Sequence, residues 1–284
     1  MTPRAVRLLS RRLRAHWLAR TESGLVVLRR YGDETDGEIA WEDEVVARLA
    51  AAGWPTPQLL AGPLRLGEVA WSLHVYLPGR VLSRGPAGPR GYRRLGRLLA
   101  EFHDALAGLP PPGQRPGWVS VVDGALPIGG GTARRDELLA LLERADSEVA
   151  RLVRRQLEAL EARALPEVFA AAPRQLVHGD PAPWNLKSVG GRCVGLLDFE
   201  LSHLDVAAAD LAFARRGYHD AVVAGYLSQR PIDERHLAQL DALWTAGLFH
   251  GLWRMLAKAQ ARGALDPADL AWHVQQFGKT RRYQ

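Results

Sequence analysis

Three polar side chains in this sequence stand at spacings that suit chemistry. Asp180 and Asn185 lie in His178-Gly179-Asp180-Pro181-Ala182-Pro183-Trp184-Asn185, and Asp198 lies in Leu196-Leu197-Asp198-Phe199-Glu200. A carboxylate, an amide five residues on and a second carboxylate closing an apolar run form the set that phosphoryl transfer from a nucleotide requires. Asp180 is expected to accept a hydrogen bond from an attacking hydroxyl and to take its proton. Asn185 offers a neutral oxygen and Asp198 an anionic one. Mg²⁺ prefers such hard ligands and fills its remaining positions with water and phosphate oxygens.

The elements that must position these residues can be read around them. Cys193 and Val194 to Leu197 read as a short buried strand that delivers Asp198. Asn185 to Ser188 form its antiparallel partner, with Gly190-Gly191 as the turn. The hairpin carries Asn185 and Asp198 side by side, with Asp180 on the loop before it. Taken singly, His-Gly-Asp-Pro is a plain turn and Asp-Phe carries no message. The apolar strand in each required place gives the combination its weight.

With Asp210-Leu211-Ala212 opening a helix further on, these segments resemble the aminoglycoside phosphotransferase and choline kinase superfamily. These are small-molecule kinases with a protein-kinase-like fold. The resemblance extends, more weakly, over nearly the whole chain. It implies an α+β, bilobal fold. Residues 1–78 would form a small β-rich nucleotide-binding lobe, and residues 79–284 a larger, mostly helical, catalytic and acceptor-binding lobe. It also implies that His178 packs behind the catalytic loop. His103 reads as a core histidine below it, and Asp210 as a residue that bonds that loop or caps its own helix.

A kinase needs a cation on the α- and β-phosphates and a carboxylate to hold that cation. The chain has only Lys187, Lys258 and Lys279 as lysines, none of them in the first lobe, so an arginine must serve. Val26-Val27-Leu28-Arg29 has the required strand shape, and the resemblance places Arg29 at the family position, with Arg30 as competitor. Arginine keeps its charge and can fork two phosphate oxygens. Its partner is expected on the first helix, where the resemblance favours Glu42 over Glu44. By resemblance, the base of ATP, or of GTP, would bond the backbone from Val75 to Leu77. No Gly-x-Gly-x-x-Gly precedes the second strand; the short segment Ser10 to Arg14 takes its place.

Strands are expected at 16–22, 25–31 and 69–77, and helices at 40–52, 91–107, 136–164, 206–227, 233–262 and 267–277. Residues 109–133, rich in Pro and Gly, read as loop. No internal repeat is present. Gly278-Lys279-Thr280 is no P-loop, because His273 stands where its first glycine belongs. Gly129-Gly130-Gly131-Thr132 reads as a loop ending near an N-cap rather than as an anion site. The histidines show no metal spacing.

Composition narrows the rest. The chain has 284 residues, 47% of them hydrophobic, which supports a substantial core. No apolar run approaches the ~18–20 residues of a membrane span. The Arg-rich start lacks a long apolar segment, so no secretory signal is expected and the location reads as cytoplasmic. A single cysteine, Cys193, excludes an internal disulfide and reads as a buried thiol. The net charge of +6 is spread along the chain, so nucleic acid is not an expected partner, and a polycationic substrate is mildly disfavoured.

The expected partner is a small hydroxylated molecule such as an antibiotic, an amino sugar or an amino alcohol, with no membrane involved. Monomer and dimer are both compatible. Trp184, Glu200 and Asp205 are expected at the acceptor. Trp244, Phe249, His250 and Trp253 are either pocket wall or core. Two other readings compete with a Mg-dependent small-molecule kinase. A nucleotide-binding regulatory protein that has lost turnover would explain the missing glycine-rich loop but not the retained Asp180, Asn185 and Asp198. A protein kinase would need a longer activation segment between Asp198 and Asp210.

Overall fold

The computed structural model describes residues 5–10, 15–32, 34–82, 88–107, 109–110, 112–123, 136, 139–144, 147–190, 192–262 and 267–280. The N-terminal strands make one antiparallel sheet. β1 (Ala5–Ser10), β2 (Ala15–Thr21), β3 (Gly24–Arg30), β4 (Leu59–Leu66) and β5 (Val69–Val75) lie in the order β1-β2-β3-β5-β4, and α1 (Asp36–Ala51) connects β3 to β4. β2, β3 and β5 answer to the expected strands. The two edges, β1 and β4, went unread. β4 is exposed at almost every position and contains Gly62-Pro63, so it carries neither the alternation nor the composition of a half-buried strand.

Register decides what the sheet offers. Leu28 pairs Trp17 on one side and Leu73 on the other, while Arg29 pairs His16 and Ser72. Neighbouring residues face opposite ways. Trp17 and Trp71 stack on each other at 5.4 Å, whereas Arg29 is buried and reaches Glu42 of α1. The helix begins four residues before its expected start because Thr35 and Glu38 form a reciprocal capping box.

After β5 the chain turns through Tyr76 to Gly79 into β6 (Arg80–Val81). This strand pairs with β8 (Leu186–Val189), which in turn pairs with β9 (Arg192–Leu196). The expected hairpin is therefore present, with an unread third strand. A second small ladder joins β7 (Gln175–Val177) to β10 (His203–Asp205). The rest is helical: α2 (Pro89–Leu106), α3 (Ser147–Glu161), α4 (Leu165–Val168), α5 (Ala207–Arg215), α6 (Asp220–Leu227), α7 (Glu234–Leu237), α8 (Leu240–Arg262) and α9 (Pro267–Thr280). The helix expected over 206–227 is broken in two, because Arg216 and Gly217 both adopt positive φ, 52° and 76°. The helix expected over 233–262 is likewise two. Of the helix expected over 136–164, residues 137–138 and 145–146 lie outside the described residues. So do Gly129 to Thr132, Arg11 to Arg14 and the Cys193 side chain.

The helical core packs Phe102, Phe199, Phe249 and Phe277, all fully buried. Its tightest contact is between α2 and α6. A Cβ on Gly96 would lie 1.9 Å from the Val222 carbonyl oxygen, and one on Gly225 would lie 2.1 Å from the Arg93 carbonyl oxygen. The two backbones touch where side chains are absent. This contact brings His103 of α2 and Tyr226 of α6 together under the loop that carries Asp180.

Gly225→Ala is expected to cost about 1–3 kcal/mol, because the clash is with backbone that cannot rotate away. The measurement is the midpoint of denaturant unfolding against the parent protein; an unchanged midpoint would contradict the close crossing.

Candidate active site

The loop that carries Asp180 leaves β7 at Val177 and is pinned from below. Asp210, fully buried on α5, accepts hydrogen bonds from the amides of His178 (2.7 Å) and Gly179 (2.8 Å). The same carboxylate meets His103 Nε2 at 3.1 Å, and His103 Nδ1 meets the Tyr226 hydroxyl at 2.8 Å. Burial works against the charge on Asp210, and the His103 contact and the amides outweigh it. Its pKa lies below the ordinary carboxylate range. Gly179 has φ +81°, and a Cβ there would sit 2.1 Å from the Leu201 carbonyl oxygen. Only glycine lets the loop pass so close to the turn that follows Asp198.

His178 joins the two halves of the constellation. The Asp180 amide donates to its Nδ1 at 3.2 Å, which leaves the proton on Nε2 to be donated to the Leu197 carbonyl at 2.9 Å. The loop with Asp180 is thus tied to the residue before Asp198. The hairpin completes the arrangement. Leu186 pairs Leu196, and the Leu197 amide donates to the Asn185 carbonyl at 2.8 Å. Asn185 and Asp198 consequently leave the same end of the hairpin.

The Asn185 Nδ2 donates to the Asp180 carbonyl (3.0 Å) and to Asp180 Oδ2 (3.2 Å). The amide nitrogen is turned to the loop, so the amide oxygen is directed away from it. Asp198 is exposed and adopts a left-handed conformation, φ 67°, which aspartate tolerates better than most residues. Among the described residues no group of three or more His, Cys, Asp or Glu could hold a metal. An amide oxygen and one carboxylate suit a hard cation that is also held by phosphate oxygens, which is the manner of Mg²⁺.

Arg29 and Glu42 form a buried two-pronged pair, with Nη1–Oε1 at 2.6 Å and Nη2–Oε2 at 2.9 Å. Burial disfavours the Arg29 charge, but attraction and hydrogen bonding from Glu42 overcome it and drive its pKa further up. Glu44, the competing acid, instead pairs with Arg48 on the exposed side of α1. Asp43, next to Glu42, carries a pKa raised to about 6 by burial and by the Glu42 charge.

The helix bearing Glu42 is itself tied to the segment after Asp198. Trp41 Nε1 (3.1 Å) and Arg115 Nη1 (2.9 Å) both donate to the Ser202 carbonyl. Arg254 of α8 reaches Glu38 at 3.0 Å, and the guanidinium groups of Arg254 and Arg115 both lie against the Trp118 ring. Sheet, helix α1 and the helical half thus meet around the constellation.

Some expectations require correction. Asp205 does not line an acceptor pocket. It is fully buried, and its oxygens accept from Ser120 Oγ (2.6 Å) and from the amides of Val121 and Val206 (2.7 Å each), with His203 at 3.2 Å. Val75 cannot offer its amide to a base, because that N–H donates to the Gln58 carbonyl at 2.8 Å. Leu77 differs: among the described residues neither its amide nor its carbonyl has a hydrogen-bond partner, although the residue is buried. Phe249, His250 and Trp253 are core. Trp184 is 42% exposed, and Glu200 is half-buried in the short turn after Asp198.

The sequence reading missed Arg216. Its Nη2 lies 2.5 Å from Asp180 Oδ1, and its guanidinium lies 4.7 Å from the Trp184 ring and 5.8 Å from that of Trp244. The available signal was Gly217, which interrupts an otherwise helical run.

The sequence profile of a family described as "Phosphotransferase enzyme family" matches residues 6–243. A homoserine kinase of Chelativorans sp. (strain BNC1) is 27% identical over 252 residues, covering 81% of this chain and 72% of the relative. Among solved structures, the GDP complex of aminoglycoside 2'-phosphotransferase-IIIa superposes with a TM-score of 0.71 at 15% identity, covering 100% of this chain and 94% of the other. Amicoumacin kinase hAmiN in complex with AMP-PNP, Ca²⁺ and Ami superposes with a TM-score of 0.68 at 13% identity, covering 100% and 90%. The fold is the bilobal, protein-kinase-like α+β fold of these kinases.

Asp210→Asn places an amide N–H against one of the donors that the carboxylate accepts. It is expected to destabilise the protein by about 2–4 kcal/mol at pH 7. Because the folded pKa of Asp210 lies below the unfolded value, its contribution is present in full above the carboxylate range. It is lost as pH falls through the folded pKa. Denaturant melts at pH 7 and in acid should therefore converge for parent and variant; a gap that persists in acid would contradict the assignment.

Proposed function

We propose, from the premise that the chain belongs to the phosphotransferase enzyme family, that it transfers the γ-phosphate of ATP to a hydroxyl of a small molecule. The observation that carries this reading is the convergence of Asp180, Asn185 and Asp198 on one hairpin and its adjoining loop, facing the Arg29–Glu42 pair. Each role follows from what its side chain meets.

Asp180 is the base. It stands 29% exposed on its loop, with Oδ2 held by Asn185, so the carboxylate is oriented before the acceptor arrives. The hydroxyl oxygen forms a bond to the γ-phosphorus as the bond from that phosphorus to the β–γ bridging oxygen breaks. ADP leaves, and the hydroxyl proton passes to Asp180. Asn185 Oδ1 and the Asp198 carboxylate are the residues that would hold Mg²⁺, which when bound offsets charge on the phosphates. Arg29, fixed in place by Glu42, directs its remaining charge to the α- and β-phosphates. The Leu77 backbone, buried and without a hydrogen-bond partner among the described residues, suits the hydrogen-bonding edge of a purine.

We assign residues 1–78 to the nucleotide and residues 79–284 to catalysis and the acceptor, with the boundary at Pro78-Gly79. No described helix is long and apolar enough to cross a membrane. An ATP donor places the reaction in the cytoplasm. The acceptor class is a small hydroxylated metabolite or antibiotic. The homoserine kinase relative favours an amino acid bearing a hydroxyl, while the structural neighbours widen the class to antibiotics.

The test is γ-phosphate transfer from ATP and GTP with Mg²⁺ across hydroxy amino acids, amino alcohols, sugars and aminoglycosides. Asp180→Asn is expected to lower turnover by at least about a thousandfold while nucleotide still binds. Asp198→Ala is expected to weaken binding of the Mg-nucleotide itself. Turnover retained in Asp180→Asn, or Mg-dependence unchanged in Asp198→Ala, would remove the corresponding role.

A further inference from the structure

The charge lining the acceptor side differs from the acidic one the sequence suggests. Asp205 is withdrawn into the core, and in its stead a cation stands at the base. Arg216 caps α5 in the left-handed conformation, φ 52° and ψ 34°, an arrangement uncommon for a residue with a long side chain. That turn directs the guanidinium back over the catalytic loop, between the rings of Trp184 and Trp244.

The two oxygens of Asp180 face different neighbours. Oδ2 receives Asn185, on the side where the hairpin presents Asn185 and Asp198. Oδ1 receives Arg216, on the side of α5 and α8. Arg216 and Asn185 thus hold opposite oxygens of the proposed base. A guanidinium has five N–H donors. Only Nη2 of Arg216 has a hydrogen-bond partner among the described residues, and its buried Nε has none. The side chain is 13% exposed, so it is largely desolvated, and most of its donors are left unpaired. A planar anion is the partner that such a fork takes, and the rings of Trp184 and Trp244 lie close to the guanidinium.

We propose that Arg216 is the acceptor-binding residue for a carboxylate carried close to the phosphorylated hydroxyl. The substrate class is accordingly a hydroxy acid or hydroxy amino acid rather than a polycationic aminoglycoside. This rests on Asp180 being the base for an acceptor hydroxyl. The same guanidinium that attracts a carboxylate repels an ammonium group at that position, and an acceptor without an anion leaves the donors that do not meet Asp180 unpaired.

L-homoserine and 3-amino-1-propanol differ only by the carboxylate and make the matched pair for the test. The parent enzyme is expected to favour homoserine in kcat/KM by at least about tenfold. Arg216→Gln is expected to bring that ratio close to one, chiefly through the KM for homoserine, whatever loss of rate the two acceptors share. Arg216→Lys, which keeps a point charge without the fork, should fall between. A parent ratio at or below one overturns the proposal without any variant, as does a ratio unchanged in a folded Arg216→Gln protein. Calorimetric titration of the parent with both compounds in the presence of AMP-PNP separates the two levels of inference. Tighter binding of homoserine without phosphate transfer would uphold the anion site and count against the kinase reading. Equal binding of the pair, or none, would overturn the anion site even if another alcohol is phosphorylated.

Discussion

One buried carboxylate holds the arrangement together. Asp210 is removed from water and compensated by two backbone amides and a histidine. Such a charge is tolerated only while every partner stays in place, because losing one leaves it desolvated and unpaired. The partners come from three elements: α2 supplies His103, α5 supplies Asp210, and the amides belong to the loop carrying Asp180. Satisfying this acid therefore fixes the loop relative to two helices. Tyr226 extends the chain to α6, and the glycine contact between α2 and α6 makes that reach short enough.

From there the constraint passes to Asn185 and Asp198 through backbone. His178 receives the Asp180 amide and bonds the Leu197 carbonyl, so one imidazole spans the gap between loop and hairpin. The turn after Asp198 ends at Ser202, whose carbonyl takes donors from Trp41 of α1 and from Arg115. Helix α1 also carries Glu42, which holds Arg29. The groups proposed for phosphate, metal and base are thus linked by hydrogen bonds through a few residues, several of which do no chemistry. A left-handed Asp198 and a left-handed Arg216 occupy the two sides of this linkage, where the surrounding bonds can hold conformations the isolated chain would seldom adopt.

The constellation was legible because its members are close in sequence. A loop, a two-residue turn and two short strands leave few ways to arrange Asp180, Asn185 and Asp198. Arg29 and Glu42 were legible through the resemblance, which places one at the end of a strand and the other on the first helix, and packing pairs them. The acceptor side was not legible in this way. Asp205 looked suitable because it follows Asp198 closely, yet a return strand carries it into the core against Ser120 and Val121. Val75 looked suitable because it ends a strand, yet its amide serves the chain at Gln58. Arg216 looked like one more arginine in a helix. Only the break at Gly217, and the crossing of α5 over α8, bring it to Asp180.

The sequence by itself determined the hairpin, the order of a β-rich part before a helical part, and the spacing of Asp180, Asn185 and Asp198. All of these depend on contacts between near neighbours in the chain, where local geometry leaves little freedom. Tertiary structure decided which acids are exposed and which are buried, which tryptophans face the loop, and which arginine meets Asp180. Those outcomes depend on residues tens of positions apart. Burial and pairing are properties of the assembled packing, and periodicity along one segment says which face turns inward but not what that face will meet.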